Sequence, residues 1–382
     1  MPVITGIADL RELARRRVPR MFFDYLDAGS WTEGALRAHV GDLQAIKLRQ
    51  RVGVPIGNRS LRTQMARQEV VMPVALAPTA LTGMQHADGE MLAARTAKAF
   101  GVLFTLTTIS ICSMEDMSQA VGCHPFWVQL YVMKDRTFEV SLIDRAKAMG
   151  CTTLMATMDV QLVGQRHQSI RNVLSAPPRW SLRKIANIAT RPRWAWGMLR
   201  TQRRSFGNIV GHTKGVHSID GMAEWAASQY NAQLQWGDIA WIKRRWGGRL
   251  MVKGILGAED ARLAVASGAD ALVVSNHGGR QLDGAPSAIH TLTDIVDAVG
   301  RQIEAHMGSG IRSGQDVLKA RALGAQGVYV GRAYLYGLGA LVKTGVTRAL
   351  EIIRKELDLT MAMCGHTNIE QVDRRVLVAG TW

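Results

Sequence analysis

The stretch ARLAVASGADALVVSNHGG at residues 261–279 decides the fold, because a helix-like run is followed by a glycine and then by a short apolar strand. The same order recurs in VLKARALGAQGVYVGR at 317–332 and, earlier, at 93–108 and 143–159. Glycine suits the end of a helix. A strand that is apolar on both faces is typical of a parallel sheet covered by helices. The repetition therefore predicts successive parallel β/α units.

The whole chain contains enough such units for a closed barrel. Candidate strands lie at 73–79, 103–108, 126–132, 153–158, 249–253, 271–275, 303–307 and 327–330. Eight units predict a (β/α)8 barrel, with a doubly wound sheet as the alternative. We expect one domain over 1–382, in which residues 1–72 form a helical cap over one end of the barrel.

Residues 160–219 interrupt this rhythm as a long insertion after the fourth strand. They contain no Asp or Glu, and Trp180, Trp194 and Trp196 are interleaved with basic residues. The basic residues are Arg166, Arg171, Arg179, Arg183, Lys184, Arg191, Arg193, Arg200, Arg203, Arg204 and Lys214. We predict that 177–215 contacts an anionic membrane surface. The alternative is a solvated active-site loop.

The charge and hydropathy of the chain limit the kinds of binding partner that are expected. The formal charge is +16 and mean hydropathy is near zero over 382 residues, so an anionic partner is expected. No apolar run is long enough to span a bilayer, and the beginning of the chain lacks the apolar core of a secretory signal. The four cysteines form no CxxC pair, so neither a metal site nor a disulfide framework is predicted. We expect a cytoplasmic chain, either free or peripheral on the inner face of the cell membrane.

The segment SNHGGRQLDGAP at Ser275–Pro286 carries the sharpest chemical signal. His277 follows a buried strand, and histidine is the usual acid/base group at neutral pH. Arg280 lies three residues later, and its guanidinium matches a carboxylate. The alternatives are a histidine that holds a loop carbonyl and an arginine in a surface ion pair. A base beside a carboxylate clamp is what proton abstraction from a 2-hydroxy acid requires.

Other strand ends add to this site. Asp159 ends the fourth strand and could orient an imidazole, although a helix cap is the alternative. Lys253 ends the fifth strand and fits a flavin partner, a Schiff base or an ion pair. The last two strands end in Gly308-Ser309-Gly310-Ile311-Arg312 and Gly331-Arg332, which suits the phosphate site of such barrels. No GxGxxG opens a first β/α unit, so NAD on a Rossmann domain is disfavoured.

Together these residues resemble the FMN-dependent 2-hydroxy acid dehydrogenase and oxidase family. The resemblance runs from Phe23–Tyr25 to Leu359–Gly365, and the motif SNHGGRQLDG is highly specific. The segments TGMQHADGE, FWVQLYVMKDR and SAPPRW look most like the bacterial respiratory L-lactate dehydrogenase branch. The resemblance implies FMN as cofactor and oxidation of a small L-2-hydroxy acid, L-lactate first, to the 2-oxo acid.

The resemblance also implies a role for each matching residue. His277 would take the substrate proton, and Asp159 would stabilise the imidazolium. The substrate would be bound by Tyr25, Tyr131, Arg166 and Arg280. Lys253 would lie near flavin N1 and stabilise the reduced flavin. The remaining cofactor residues would be Thr79, Ala80, Thr107, Gln129, Thr157 and Ser275 at the ring, and Ser309, Gly310, Arg312, Gly331 and Arg332 towards the phosphate.

Two positions depart from the family pattern. The loop after strand seven normally reads Asp-Gly-Gly-Ile/Val-Arg, whereas this chain has Gly308 in place of the aspartate. The lost carboxylate would bind a ribityl hydroxyl, so weaker FMN binding is expected. Ile109 stands where glycolate oxidase has a tryptophan near the substrate side chain, which leaves the substrate's size open.

Three other readings compete with the leading one. They are another phosphate-binding barrel such as an FMN-dependent isomerase, a non-catalytic relative, and a nucleic-acid binder, for which no recognisable module is present. The electron acceptor stays open between a quinone, a cytochrome and oxygen. A homo-oligomer is expected because relatives are often tetramers, and no nucleic acid is expected as a partner.

Overall fold

A closed barrel of eight parallel strands forms the centre of the molecule. The computed structural model describes residues 3–172, 182–212 and 228–382, without the side chains of residues 182–184. Around the barrel the strand order is β10-β3-β4-β5-β6-β7-β8-β9. The barrel strands are β3 Val74–Leu76, β4 Leu103–Thr107, β5 Trp127–Tyr131, β6 Thr153–Thr157, β7 Arg249–Ile255, β8 Ala271–Val274, β9 Glu304–Gly308 and β10 Gly327–Val330.

The (β/α)8 prediction is confirmed, and the doubly wound alternative is excluded because β10 pairs with β3. All eight predicted strands are present, β10 with the predicted bounds and the others with ends that shift by at most three residues. The largest shift is at β3, which ends at Leu76 rather than at residue 79. Pro78 lacks the N–H group that a continuing ladder would need.

Helices surround the barrel and cover its outer face. Those that precede β7 are α1 Ile7–Arg17, α2 Arg20–Asp27, α3 Gly34–Ala45, α4 Gly89–Phe100, α5 Met114–Val121, α6 Arg136–Ala148, α7 His167–Arg171, α8 Leu182–Ala189, α9 Pro192–Arg200 and α10 Trp236–Trp246. The later ones are α11 Ala258–Ala266, α12 Ala288–Val299, α13 Gly314–Ala322 and α14 Arg332–Met363, which is broken at Leu341 and Val342. In the described ranges no helix combines the length and apolarity needed to cross a membrane.

The region before the barrel covers both ends, whereas the sequence predicted a cap over one end. A hairpin of β1 Thr63–Met65 and β2 Gln68–Val70 brings Met65 into the cluster that fills the barrel interior with Trp127 and Tyr329. A Cβ on Gly327, at the start of β10, would meet Met65, which places the hairpin at the amino ends of the strands. Helix α2 lies at the opposite end, where Tyr25 reaches the cavity described below.

The barrel register sets the height of the functional side chains. Tyr131 pairs with Thr157, and Thr157 pairs with Lys253, so the ends of β5 and β6 lie level with Lys253 of β7. The β7–β8 register shifts between Lys253 and Ile255, at a β-bulge centred on Gly254. Gly254 has φ +105, and a Cβ there would lie 2.7 Å from the Asp159 side chain. Only glycine therefore allows Asp159 to pack against this bulge.

Candidate active site

A cavity of about 720 Å³ opens at the carboxyl ends of the barrel strands. Its walls include Ala77 after β3, Lys253 on β7, Ser275 after β8 and Gly331 after β10. Catalytic and ligand sites of (β/α)8 barrels lie at this end. The cavity is therefore the candidate active site, and most of the residues singled out in the sequence surround it.

His277, Asp159 and Lys253 form a compact cluster on one side of the cavity. The Nδ1 atom of His277 lies 2.9 Å from Asp159 Oδ1 and 3.3 Å from Lys253 Nζ. Lys253 Nζ is 3.6 Å from the other carboxylate oxygen, Oδ2. His277 has φ +60, and its main-chain N–H donates to Ser275 Oγ at 3.1 Å. Since Nδ1 is engaged by Asp159, Nε2 is the ring nitrogen left for a substrate.

Burial and neighbouring charge set the protonation of this cluster. Burial, assisted by the Lys253 ammonium, lowers the pKa of His277 from 6.5 to about 4, although Asp159 opposes the shift. Burial alone would raise the pKa of Asp159, but Lys253 and His277 outweigh it and hold that pKa below its ordinary value. At neutral pH the imidazole is therefore uncharged and able to accept a proton beside an ionised carboxylate.

Two arginines, Arg166 and Arg280, line the cavity with no carboxylate within ion-pair distance in the described part of the chain. Nη1 of Arg280 donates to the main-chain oxygens of Tyr25 and Ala28, while its buried Nη2 has no hydrogen-bond partner among the described residues. Arg166 stands close enough that, together with burial, it lowers the pKa of Arg280 to about 9. The Arg280 guanidinium lies 4.6 Å above the Tyr25 ring and that of Arg166 lies 5.9 Å from it. A carboxylate is the group that this pair of cations would bind best.

The opposite part of the cavity is built from the loops after β9 and β10. Ser309 has φ +82, and its hydroxyl lies 3.1 Å from Ser275 Oγ and accepts from Gly278 N at 2.9 Å. The Arg332 guanidinium donates to the main-chain oxygens of Leu26, Gly278 and Ala28. The side chain of Arg332 thus ties α2 to the loop that carries His277.

Five other residues predicted at the cofactor line this cavity, and three do not. Those that line it are Thr79, Ala80, Gly310, Arg312 and Gly331. Thr107, Gln129 and Thr157 form a buried row, in which Thr107 Oγ1 donates to Gln129 Oε1 at 2.6 Å and Gln129 Nε2 donates to Thr157 Oγ1 at 2.9 Å. The row joins the last residues of β4 and β6 through Gln129 of β5 and fixes both the oxygen and the nitrogen of the Gln129 amide.

The structure adds residues that the sequence did not single out. Val160, Val163, Phe206 and Tyr230 all line the cavity, and all lie on the long connection between β6 and α10. No regular spacing relates Phe206 or Tyr230 to a strand end, so the pattern of β/α units could not identify them. The insertion is consequently part of the active site.

The described part of the insertion packs on the barrel rather than lying wholly in solvent. The Trp194 ring stacks on Phe22 of α2 at 5.4 Å, and its Nε1 donates to the Met84 carbonyl at 2.8 Å. Arg203 pairs with Asp116 at 2.7 Å. Trp196 is 62% exposed and Leu199 69% exposed. The predicted contributions of Arg179, Trp180 and Lys214 fall outside the described residues.

A (β/α)8 barrel with an imidazole–carboxylate pair at its carboxyl end, and with arginines that have no carboxylate partner among the described residues, is typical of an enzyme that acts on anionic ligands. The chain matches the model of the FMN-dependent dehydrogenase family over residues 14–379. It is 42% identical over 377 residues to an L-lactate dehydrogenase of Pseudomonas aeruginosa and 40% identical over 379 residues to one of Caulobacter sp. strain K31. Each alignment covers 98% of both chains.

Solved structures agree with this match. The crystal structure of the monotopic membrane protein (S)-mandelate dehydrogenase superposes with a TM-score of 0.94 at 32% identity, over 99% of this chain and 100% of that one. A mandelate oxidase gives 0.83 at 32% identity, over 98% of both chains. This chain belongs to the FMN-dependent dehydrogenase family, and it is an FMN-dependent oxidoreductase.

We expect His277→Gln to retain FMN but to slow flavin reduction by substrate by about 100- to 10,000-fold, the contribution of a general base. Stopped-flow flavin absorbance measures that rate. Because the imidazole accepts protons only above its pKa, wild-type kcat/KM is expected to hold from pH 7 to pH 5. It should fall as the pH approaches about 4, the lowered pKa of His277. Near wild-type reduction by the variant would remove His277 as the base.

We expect Gly308→Asp to bind FMN more tightly than wild type. A Cβ on Gly308 would lie 3.4 Å from Val273 Cγ1 and 3.6 Å from Ser275 Oγ, which is ordinary van der Waals contact, and Gly308 lines the cavity. A hydrogen bond to a charged group contributes about 1.5–3 kcal/mol, or about 10- to 100-fold in affinity. Flavin fluorescence titration gives the dissociation constants, and Gly57→Asp adds the same charge in open space. Equal constants for wild type and Gly308→Asp would contradict this expectation.

Proposed function

We propose that this enzyme oxidises L-lactate, or a 2-hydroxy acid of similar size, to the 2-oxo acid. The observation that carries the proposal is the uncharged His277 imidazole, held by the ionised Asp159 carboxylate, together with the Arg280 Nη2 donor that has no partner among the described residues. A base and a carboxylate clamp on one cavity suit a substrate with a hydroxyl and a carboxylate on adjacent carbons. The relatives named L-lactate dehydrogenase support the smallest such substrate.

In this proposal the side chains bind, orient and deprotonate the substrate. Arg280 and Arg166 hold its carboxylate, with Tyr25 between them. Tyr131, whose pKa burial raises well above 10, stays neutral and donates to the substrate. His277 Nε2 accepts the proton as the C2 hydroxyl becomes a carbonyl, and Asp159 stabilises the imidazolium. Lys253 Nζ lies 3.3 Å from His277 Nδ1 and 3.6 Å from Asp159 Oδ2, at the edge of the cluster.

The site fits FMN on charge as well as on shape. Arg166, Arg280, Arg312 and Arg332 all line the cavity, and none has a carboxylate within ion-pair distance in the described part of the chain. Gly308, Gly310 and Gly331 leave main-chain groups open to a phosphate. We assign Ser309, Arg312 and the Gly331–Arg332 turn to the ribityl-phosphate end, and Thr79, Ala80, Lys253 and Ser275 to the ring. When bound, FMN supplies the two-electron acceptor.

We further propose that α8 and α9 attach the enzyme to an anionic membrane surface from the cytoplasmic side. Ile185, Trp196 and Leu199 are exposed, and the Arg200 guanidinium lies 5.5 Å from the Trp196 ring. Aromatic and aliphatic groups beside arginine suit the headgroup layer. The monotopic membrane character of the similar mandelate dehydrogenase supports this assignment. A membrane quinone then becomes the favoured electron acceptor over a cytochrome.

The decisive experiment is anaerobic mixing of the purified, FMN-loaded enzyme with L-lactate. We expect the enzyme to be yellow and its visible flavin absorbance to be lost after mixing with L-lactate. We expect no loss of flavin absorbance with D-lactate. Yellow protein that no 2-hydroxy acid bleaches would favour an isomerase-like activity instead. Colourless protein that stays apo with added FMN would favour a non-catalytic relative.

We expect Trp196→Asp/Leu199→Asp to lose binding to phosphatidylglycerol vesicles by at least about tenfold. Burial of one large apolar side chain contributes about 1.5–3 kcal/mol, and each 1.4 kcal/mol is about tenfold. Vesicle co-sedimentation measures binding, with phosphatidylcholine vesicles for comparison. The matched control, Val52→Asp/Leu263→Asp, replaces two other exposed apolar residues with the same charges.

Undiminished vesicle binding by the first double variant would refute the membrane assignment. Turnover with an artificial dye should stay near the wild-type rate, because neither side chain lines the cavity. Substitutions are preferable to deletion of 177–215. Such a deletion would also remove Trp194 and Phe206, which pack on the barrel and line the cavity.

A further inference from the structure

The connection between β6 and α10 contributes two aromatic side chains to the cavity, and the proposed chemistry uses neither of them. Phe206 precedes residues 213–227 and Tyr230 follows them. Both side chains line the cavity, and Phe206 is only 8% exposed. Because both rings line the cavity, they can contact some part of a bound substrate.

Phe206 is held rigidly by its neighbours in the chain. The Gly207 N–H donates to the Ser110 carbonyl at 3.1 Å, and a Cβ on Gly207 would lie 2.7 Å from Ser113 N. Asn208 is fully buried, donates to Ser110 Oγ at 2.9 Å and accepts from Met114 N at 2.9 Å. These bonds fix Phe206 against the loop after β4, the same loop that brings Ile109 to the cavity.

Tyr230 is held from the other side. It forms an isolated antiparallel bridge with Met133, and the neighbouring Lys134 N–H donates to the Gln229 carbonyl at 3.0 Å. Its ring meets the Tyr131 ring edge-on, with centroids 5.8 Å apart and planes at 86°. No described residue hydrogen-bonds to the Tyr230 hydroxyl. The observed contacts therefore hold the main chain and the aromatic ring of Tyr230, and not its hydroxyl group.

The polar groups of a 2-hydroxy acid are already accounted for by other residues. The carboxylate is assigned to Arg280 and Arg166, and the reacting hydroxyl to His277. The side chain on C2 is the only part left to contact this wall, where Ile109 and Val160 add apolar surface to the two aromatic rings. An apolar surface that is fixed by main-chain contacts can exclude substrates with larger C2 side chains, because it cannot move away to make room for them.

Resting on the proposed function, we propose that Phe206 and Tyr230 are specificity-determining residues that limit the size of the substrate's C2 side chain. The connection between β6 and α10 would thereby select the substrate. One methylene in a hydrophobic pocket is worth about 10- to 200-fold in kcat/KM. Removal of either ring should open more room than that and relax the preference for small substrates.

The test compares kcat/KM for L-lactate and L-2-hydroxyisocaproate in FMN-loaded wild type, Phe206→Ala and Tyr230→Ala, with an artificial dye as acceptor. We expect each alanine variant to shift the ratio of the two kcat/KM values towards the larger acid by at least about tenfold. Tyr230→Phe keeps the ring and should keep the wild-type ratio. Phe100→Ala removes a half-buried ring from α4, where it lies 4.8 Å from the Arg354 guanidinium, and should also leave the ratio unchanged.

A ratio that stays at the wild-type value in both alanine variants would overturn the proposal, even if both rates fall. If an alanine variant does not retain FMN, Phe206→Leu and Tyr230→Leu serve in the same comparison, and an unchanged ratio there overturns it equally. Failure of the proposed function has a different signature. In that case wild-type flavin is reduced by neither acid, so no ratio exists.

Discussion

Main-chain hydrogen bonds between β10 and β3 join the last barrel strand to the first, and the site depends on this closure. In a closed parallel barrel every carboxyl end reaches one rim. Asp159 and His277, 118 positions apart in sequence, thereby approach to 2.9 Å. In an open sheet β3 and β10 could lie at opposite edges, and Thr79 could not share a cavity with Gly331. Closure thus converts residues scattered over the chain into one reaction centre.

The closed rim also concentrates positive charge. Lys253 has Asp159 as its partner, but burial and mutual repulsion lower the pKa of Arg280 to about 9 and that of Arg332 to about 10. Both guanidinium groups donate to main-chain oxygens, but neither has a carboxylate within ion-pair distance in the described part of the chain. Buried cations without an opposite charge are costly, because their desolvation is only partly recovered inside the protein. The cost is offset when anions bind, since a ligand that binds only the folded state stabilises it. The protein is therefore built to be complete only with its phosphate cofactor and carboxylate substrate.

Most of the fold and part of the site could be predicted from local sequence. The barrel was recognisable because a helix-like run, a glycine and an apolar strand recur along the chain. His277, Asp159 and Lys253 were recognisable because polar residues follow such apolar strands. Phe206 and Tyr230 could not be found this way, since tertiary contacts of an irregular connection place them. The buried row of Thr107, Gln129 and Thr157 was predicted at the flavin, but hydrogen bonds across strands set its position. Sequence periodicity indicates which residues reach the rim, and side-chain contacts decide what each one faces there.

The insertion shows that membrane attachment and catalysis do not require separate domains. Helix α9 has nine residues, and Trp194 and Trp196, two residues apart, point about 200° from each other around its axis. Trp194 stacks on α2, the helix of Tyr25, and bonds the turn that follows Ala80, whereas Trp196 is exposed. One short helix therefore packs against α2, the helix that carries Tyr25, on one face and is exposed on the other. A partner surface bound to the exposed face would be separated from α2 by this one helix, so attachment and the candidate active site would share a structural element.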